Sequence, residues 1–176
     1  MLVKDKNFEV FLPAEELNSV VSQMAAQIEK NYAGRRPYFL IMMTGAFVFA
    51  SDLLRAMKSP VEMAIVKYSS YDGMSSTGEV KRQLKVPEEI RGRDVIVLED
   101  IVDTGTTMHA FMKELQTYSP KTVALASLLT KSEVLQGKVK IDYLGKDIPN
   151  KFVVGYGLDY DGYGRNLPAI YALSEK

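Results

Sequence analysis

The chain contains no cysteine and no tryptophan, and it has a single histidine among its 176 residues. Without cysteine, the protein can form no disulfide bond, no thiolate metal site and no cysteine nucleophile. The single histidine excludes a metal site built from several histidines. Basic and acidic residues number 22 each, so the zero formal charge provides no overall attraction to nucleic acid or to anionic membranes.

Long hydrophobic segments are also missing. The longest strongly apolar stretch, residues 38–43, is too short to span a bilayer, and the first ten residues lack the apolar segment of a signal peptide. We therefore expect a cytoplasmic protein with no membrane partner. The length, with 47% hydrophobic and 25% charged residues, predicts one domain over residues 1–176.

Strand and helix patterns alternate along the chain, which is typical of an α/β fold. Apolar residues at helical spacing follow Pro13 and end before Gly34, and they predict a first amphipathic helix. Two strand–helix–strand units are predicted, at residues 38–43, 46–57 and 61–68 and at residues 95–98, 108–118 and 122–129. Shorter strands are predicted at residues 141–144 and 152–154.

The most informative segment is residues 95–107, VIVLEDIVDTGTT. Its apolar start predicts a buried strand, and such strands end at binding crevices. A loop of amides and hydroxyls before a helix is a suitable site for a phosphate monoester. Three carboxylates beside it would repel phosphate unless they served hydroxyl groups, a metal ion or a cationic transition state. The loop residues are Thr104, Gly105, Thr106 and Thr107, and the acids are Glu99, Asp100 and Asp103.

The same pattern also fits an ordinary connection from a strand to a helix. In that alternative Asp103 would cap the helix, a common role for aspartate. Taken as an anonymous pattern, the segment leaves both interpretations open.

The complete string resembles the phosphoribosyl pyrophosphate (PRPP) loop of type I phosphoribosyltransferases. Residues 152–160, FVVGYGLDY, resemble the purine-binding signature of the hypoxanthine and hypoxanthine-guanine branch of that family. The polar segment at about residues 69–80, with its Ser70-Tyr71 pair, resembles the flexible loop that closes over the active site. Lys131 matches the lysine that recognises the purine. The matching segments occur in the family's order over nearly the whole chain.

This resemblance implies a type I phosphoribosyltransferase fold, with a central twisted, mainly parallel sheet flanked by helices. A small hood from the N-terminal and C-terminal segments would cover the active site. The implied reaction transfers the 5-phosphoribosyl group from PRPP to N9 of a 6-oxopurine, hypoxanthine or guanine, and releases pyrophosphate in purine salvage. Mg²⁺ is the implied cofactor. A homodimer or homotetramer is expected, because family members usually have these states.

The resemblance also assigns roles to residues near the sugar. Asp103 would act as general acid and base beside purine N7. Glu99 and Asp100 would contact the ribose hydroxyls, directly or through a metal ion. The loop from Thr104 to Thr107 would hold the 5′-phosphate.

Further roles concern the purine and the pyrophosphate. Lys131 would donate to purine O6, Phe152 would stack on the base, and the backbone of Val153 would read its edge. Asp159 would coordinate, through water, the Mg²⁺ bound to pyrophosphate. The pyrophosphate itself would be contacted by Thr44, Gly45, Arg165 and, from the closing loop, Ser70 and Tyr71.

One segment departs from the family pattern. Where the family usually has Leu-Lys-Gly or Leu-Arg-Gly, this chain has Met43-Thr44-Gly45. The backbone amides would still bind pyrophosphate, although the usual cationic side chain is absent. Family members often hold the first of these peptide bonds in cis, and the sequence leaves the isomer at Thr44 open.

Two alternative functions are a regulatory nucleotide sensor or RNA-binding protein with this fold, and a phosphoribosyltransferase for xanthine, adenine or a pyrimidine. The presence of Asp103 and the zero net charge favour the enzyme. The ammonium of Lys131 has no acceptor, so it suits a 6-oxo group better than a 6-amino group. The preference among hypoxanthine, guanine and xanthine stays open, because these bases differ at C2.

Overall fold

The computed structural model describes residues 1–67, 84–135 and 139–174. The strands are β1 Leu2–Val3, β2 Lys6–Leu12, β3 Tyr38–Met42, β4 Glu62–Val66, β5 Asp94–Val102, β6 Thr122–Thr130, β7 Tyr143–Asp147, β8 Val153–Val154 and β9 Ile170–Leu173. The helices are α1 Ala14–Asn31, α2 Phe47–Ala56, α3 Thr106–Leu115 and the single turn α4 Ser132–Leu135. Two 3₁₀ turns lie at Glu88–Ile90 and Gln116–Tyr118.

The central sheet has five parallel strands in the order β4-β3-β5-β6-β7. All five residues of β3 are buried, and so is the apolar start of β5, which is the pattern of strands covered on both faces. Helix α1 packs against α2 and β7. Both predicted strand–helix–strand units are confirmed, since β3 pairs with β4 and β5 pairs with β6. Among the described residues, no helix is both long enough and apolar enough to cross a membrane.

Three predicted boundaries were wrong. Strand β5 continues past Leu98 to Val102, because its backbone keeps pairing with β6, so Glu99 and Asp100 lie within the strand. Helix α3 spans Thr106–Leu115, and the predicted remainder to residue 118 is a 3₁₀ turn. The strand predicted at residues 141–144 runs instead over Tyr143–Asp147.

A second sheet forms the expected hood from both ends of the described chain. Its strands are antiparallel, in the order β1-β2-β9-β8. Phe8 on β2 lies opposite Leu173 on β9 and packs in a small cluster with Val3 and Val154. The local patterns had predicted neither β2 nor β9, although apolar residues alternate at positions 8, 10 and 12.

Candidate active site

The predicted site residues in the described chain come from the carboxyl end of the parallel sheet and from the hood. Four segments carry them: the loop after β3, the end of β5 with its following loop, the residue after β6, and residues 152–165. Carboxyl ends of parallel strands meet at one edge of a sheet, where ligands of α/β proteins bind. Ser70 and Tyr71, with the predicted closing loop, lie outside the described residues.

The loop before α3 forms a concave surface of backbone and hydroxyl groups. Gly105 is the N-cap of α3, and its φ of 77° is a left-handed conformation that glycine adopts without a steric penalty. The Thr104 hydroxyl accepts from the Thr106 amide at 3.5 Å. Glu99 and residues 101–108 line a cleft in front of this helix end. Amides and the helix dipole favour an anion of phosphate size here.

Glu99 and Asp100 form a pair of neighbouring carboxyls beside this loop. Asp100 is buried, and its Oδ1 accepts from the Ile101 amide at 3.0 Å. Burial raises the pKa of Glu99 well above its usual range, and a hydrogen bond with Asp100 and that group's charge raise it further. This environment disfavours the charged form of Glu99, and a cation or hydroxyl donors beside it would favour that form.

Asp103 directly follows β5, and Lys131 directly follows the neighbouring strand β6. Val102 lies opposite Thr130 in the β5–β6 register, so the next residues along both strands are neighbours. Lys131 Nζ donates to Asp103 Oδ2 at 3.1 Å, and the lysine side chain is 9% exposed while that of Asp103 is 49% exposed. The capping alternative for Asp103 is wrong, since the N-cap of α3 is Gly105.

The loop after β3 contains a cis peptide bond between Met43 and Thr44, which answers the question left open by the sequence. Gly45 has no room for a side chain: a Cβ atom there would lie 1.8 Å from Asp100 Oδ2. On the hood side, a Cβ atom on Gly157 would lie 2.1 Å from the Gly45 carbonyl oxygen. The Gly45 backbone is thus in close contact with both the Asp100 carboxylate and the hood.

Asp159 and Arg165 form an ion pair within the hood. An Arg165 nitrogen lies 2.7 Å from Asp159 Oδ1, and another donates to the Gly157 carbonyl at 2.7 Å. Tyr160 and Tyr163 exchange backbone hydrogen bonds across the turn that separates the pair. This turn returns the guanidinium to the carboxylate.

Phe152 presents an aromatic face at the hood. Its side chain is exposed, and its ring lies 5.8 Å from the Tyr160 ring and 6.3 Å from the Phe8 ring. Val153 is buried and pairs with Ala172. The supporting role of Phe8 was missed from sequence, and the alternation around it in β2 was the available signal.

Glu99, Asp100 and Asp159 are the carboxylates that were predicted to bind Mg²⁺ or to act through it. The described ranges contain no cluster of three or more His, Cys, Asp or Glu side chains able to hold a metal. Mg²⁺ commonly binds one or two carboxylates and completes its octahedron with water and substrate phosphates. Asp100 lies against Gly45, Glu99 precedes it in β5, and Asp159 lies beside Arg165 in the hood. This sparse set of carboxylates fits an ion that arrives with a phosphorylated substrate.

Lys131 and Arg165 are the two cationic side chains that were predicted to bind substrate groups in the described site. Each of them forms an ion pair with a carboxylate that was also predicted to act there. Asp103 pairs with Lys131, and Asp159 pairs with Arg165. A ligand that accepts hydrogen bonds from either cation must therefore replace or share an existing partner. The Asp103 carboxylate lowers the cost of burying the Lys131 ammonium.

Comparisons with known proteins identify the family. A model of the phosphoribosyl transferase domain matches residues 12–161. The chain is 34% identical over 175 residues to the hypoxanthine-guanine phosphoribosyltransferase of Aquifex aeolicus, with 98% of each chain covered. It is 36% identical over 165 residues to the hypoxanthine phosphoribosyltransferase of Salmonella typhimurium, covering 92% of this chain and 93% of that one.

Solved structures identify the same family. A hypoxanthine-guanine phosphoribosyltransferase from Bacillus anthracis superposes with a TM-score of 0.85 at 32% identity, covering 96% of this chain and 98% of that one. A hypoxanthine phosphoribosyltransferase from Staphylococcus aureus gives a TM-score of 0.85 at 34% identity, with 95% and 93% covered. The chain therefore belongs to the type I phosphoribosyltransferase family, in its hypoxanthine and hypoxanthine-guanine branch.

Proposed function

We propose that this protein transfers the 5-phosphoribosyl group of PRPP to N9 of hypoxanthine or guanine, yielding IMP or GMP and pyrophosphate for purine salvage. The contact between Lys131 and Asp103 is the observation that carries the proposal. O6 and N7 lie side by side on one edge of a 6-oxopurine. A buried ammonium and a carboxylate 3.1 Å apart provide a donor for O6 and a proton acceptor for N7.

The proposed role of Asp103 follows from the proton balance at the base. Transfer at N9 changes the protons that the purine can carry, and a carboxylate at N7 can accept or return one. Lys131, by donating to O6, holds that edge of the base against Asp103. Phe152 would stack on the base while the Val153 backbone reads its edge.

Charge develops on the sugar during transfer. Breaking the bond from ribose C1 to pyrophosphate gives an oxocarbenium-like centre, which preorganised carboxylates stabilise. Glu99 and Asp100 would provide that charge and accept hydrogen bonds from the ribose hydroxyls. The amides and hydroxyls of Thr104, Gly105, Thr106 and Thr107 would hold the 5′-phosphate, and that remote contact positions C1.

The leaving pyrophosphate would be bound by the amides of Thr44 and Gly45 and by the Arg165 guanidinium. Activity does not require the lysine or arginine usual at position 44, because the amides belong to the backbone. Ser70 and Tyr71 are proposed to close over this group from the loop outside the described residues. Glu99, Asp100 and Asp159 would hold Mg²⁺, which when bound neutralises charge on the pyrophosphate.

The activity itself is directly testable. Protein mixed with Mg²⁺, PRPP and each of hypoxanthine, guanine and xanthine should form the corresponding nucleoside monophosphate and pyrophosphate, measured by chromatography. Hypoxanthine or guanine should be used best, and omission of Mg²⁺ with added chelator should abolish turnover. Absence of product with all three bases would contradict the proposed activity, whereas the best rate with xanthine would change only the substrate.

Stacking by Phe152 has its own test. Phe152→Ala should raise KM for the purine about tenfold, because base–aromatic stacking contributes about 1–3 kcal/mol. KM for PRPP should change little. The matched control is Tyr163→Ala, since Tyr163 is another exposed hood aromatic. Equal purine KM values for both variants in steady-state assays would show that Phe152 does not stack on the base.

The assembly and location complete the proposal. A homodimer or homotetramer is proposed from family membership, and the mass in solution by light scattering decides between them. A cytoplasmic location is proposed because purine salvage uses PRPP and purines there.

A further inference from the structure

Tyr156 occupies an unusual place in the purine-binding signature. Its φ of 52° lies in the left-handed region, between two glycines that also have positive φ. Non-glycine residues adopt this conformation infrequently, and only where the surrounding contacts hold it. The Tyr156 side chain is buried at 4% exposure, and its amide donates to the Leu167 carbonyl at 2.8 Å.

The phenol of Tyr156 reaches across from the hood to α2. Its hydroxyl donates to Asp52 Oδ2 at 2.6 Å. Burial raises the pKa of Tyr156, and the Asp52 carboxylate raises it further, so the phenol remains a donor. A hydrogen bond to a carboxylate is stronger than one between neutral groups.

Both ends of this bond connect to the proposed pyrophosphate subsite. On one side, Asp52 lies in α2, the helix that begins directly after the loop containing Gly45. On the other side, the next residue, Gly157, packs against the Gly45 carbonyl. Gly157 also exchanges two hydrogen bonds with Arg165, at 3.0 and 2.7 Å. The distance between the Gly45 loop and Arg165 therefore depends on how the hood segment is attached to α2.

We propose that Tyr156 and Asp52 are positioning residues for the pyrophosphate subsite, holding the hood cation Arg165 in register with the amides of the 43–45 loop. This inference rests on the proposed function, because it assigns pyrophosphate to those groups. The Tyr156 hydroxyl bonds to Asp52, and no substrate contact is assigned to either residue. Their effect should appear in PRPP and pyrophosphate binding rather than in purine binding.

The test removes one hydroxyl. Tyr156→Phe should raise KM for PRPP, and KM for pyrophosphate in the reverse reaction, about tenfold, with purine KM and kcat within about twofold. Asp52→Leu should have the same effect, and Asp52→Asn, which keeps an acceptor, should recover part of it. The double variant Tyr156→Phe with Asp52→Leu should be no worse than either single variant.

The matched control is Tyr143→Phe. Tyr143 is also buried, and its hydroxyl accepts from Asn31 at 3.1 Å, at the start of β7 and away from the carboxyl end of the sheet. A similar loss of melting temperature in both Tyr variants, with a rise in PRPP KM only for Tyr156→Phe, supports the proposal. An unchanged PRPP KM in Tyr156→Phe, or equal kinetic changes in both variants, overturns it.

Calorimetric titration with Mg²⁺ and pyrophosphate separates this inference from the proposed activity. Absence of turnover by the wild-type protein would contradict the proposed function. Weaker pyrophosphate binding by Tyr156→Phe than by wild type would still support the positioning role. Equal binding, or no binding by wild type, would overturn it.

Discussion

Replacing Asp103 with asparagine should lower kcat about 10²-fold and leave KM for PRPP within about twofold, if Asp103 transfers the proton at N7. Asparagine has nearly the same shape as aspartate but cannot accept that proton. The substitution keeps an amide oxygen beside Lys131 Nζ, so the buried ammonium retains a neutral acceptor. Purine binding should therefore survive better than turnover does.

A control separates chemistry from the loss of an ion pair. Asp142 also pairs with a lysine, at 2.5 Å from Lys140 Nζ, and it lies just before β7, at the opposite end of the sheet. Asp142→Asn should leave kcat unchanged. Steady-state kinetics and thermal melting of both variants provide the comparison. Near-normal kcat in folded Asp103→Asn would remove Asp103 from the proton transfer.

The pairing of Asp103 with Lys131 shows what could not be predicted from local patterns. Each strand was predictable from its apolar run, since burial on both faces requires such residues. The contact depends on the register that places Val102 opposite Thr130, and a parallel pair has no hairpin turn to define its register. Family resemblance identified both residues, but only the paired strands explain why they meet.

The positions of Glu99 and Asp100 within β5 also depend on strand pairing rather than on local sequence. Glu99 and Asp100 were expected after the strand because charged residues rarely continue a buried run. Pairing with β6 extends the strand to Val102, and the acids are accommodated through a raised Glu99 pKa and the Ile101 amide. Backbone pairing between neighbouring strands thus outweighed the local preference of the side chains.

The hood was predictable only through the resemblance. Strands β2 and β9 come from opposite ends of the chain, and although apolar residues alternate in β2, no local pattern shows that these two strands pair with each other. The hydrogen bond from Tyr156 to Asp52 spans 104 residues in sequence. Asp52 has the sequence character of a solvent-facing helix residue, so its partner becomes apparent only when the hood is docked against α2.

Gly45→Ala should reduce kcat/KM for PRPP at least about 10²-fold, because it disturbs two elements of the site together. The new Cβ would lie 1.8 Å from Asp100 Oδ2 and 2.5 Å from the carboxyl carbon. Either the Asp100 carboxylate or the loop after β3 must move. Moving the carboxylate takes charge from the ribose, and moving the loop misplaces the amides proposed for pyrophosphate. A displacement of about 1 Å can cost a factor of 10² in rate.

The matched control for Gly45→Ala is Gly34→Ala. Gly34 has a φ of 74°, and no atom lies within 4 Å of the position that a Cβ atom would occupy, so alanine there meets backbone strain but no obstruction. That strain costs about 1–2 kcal/mol of stability. The Gly34→Ala variant should therefore have a lower melting temperature and an unchanged kcat/KM for PRPP. The Gly45→Ala variant should lose turnover even at temperatures where it remains folded. Equal kcat/KM for the two variants below their melting temperatures would show that the contact between Gly45 and Asp100 is not needed for PRPP use.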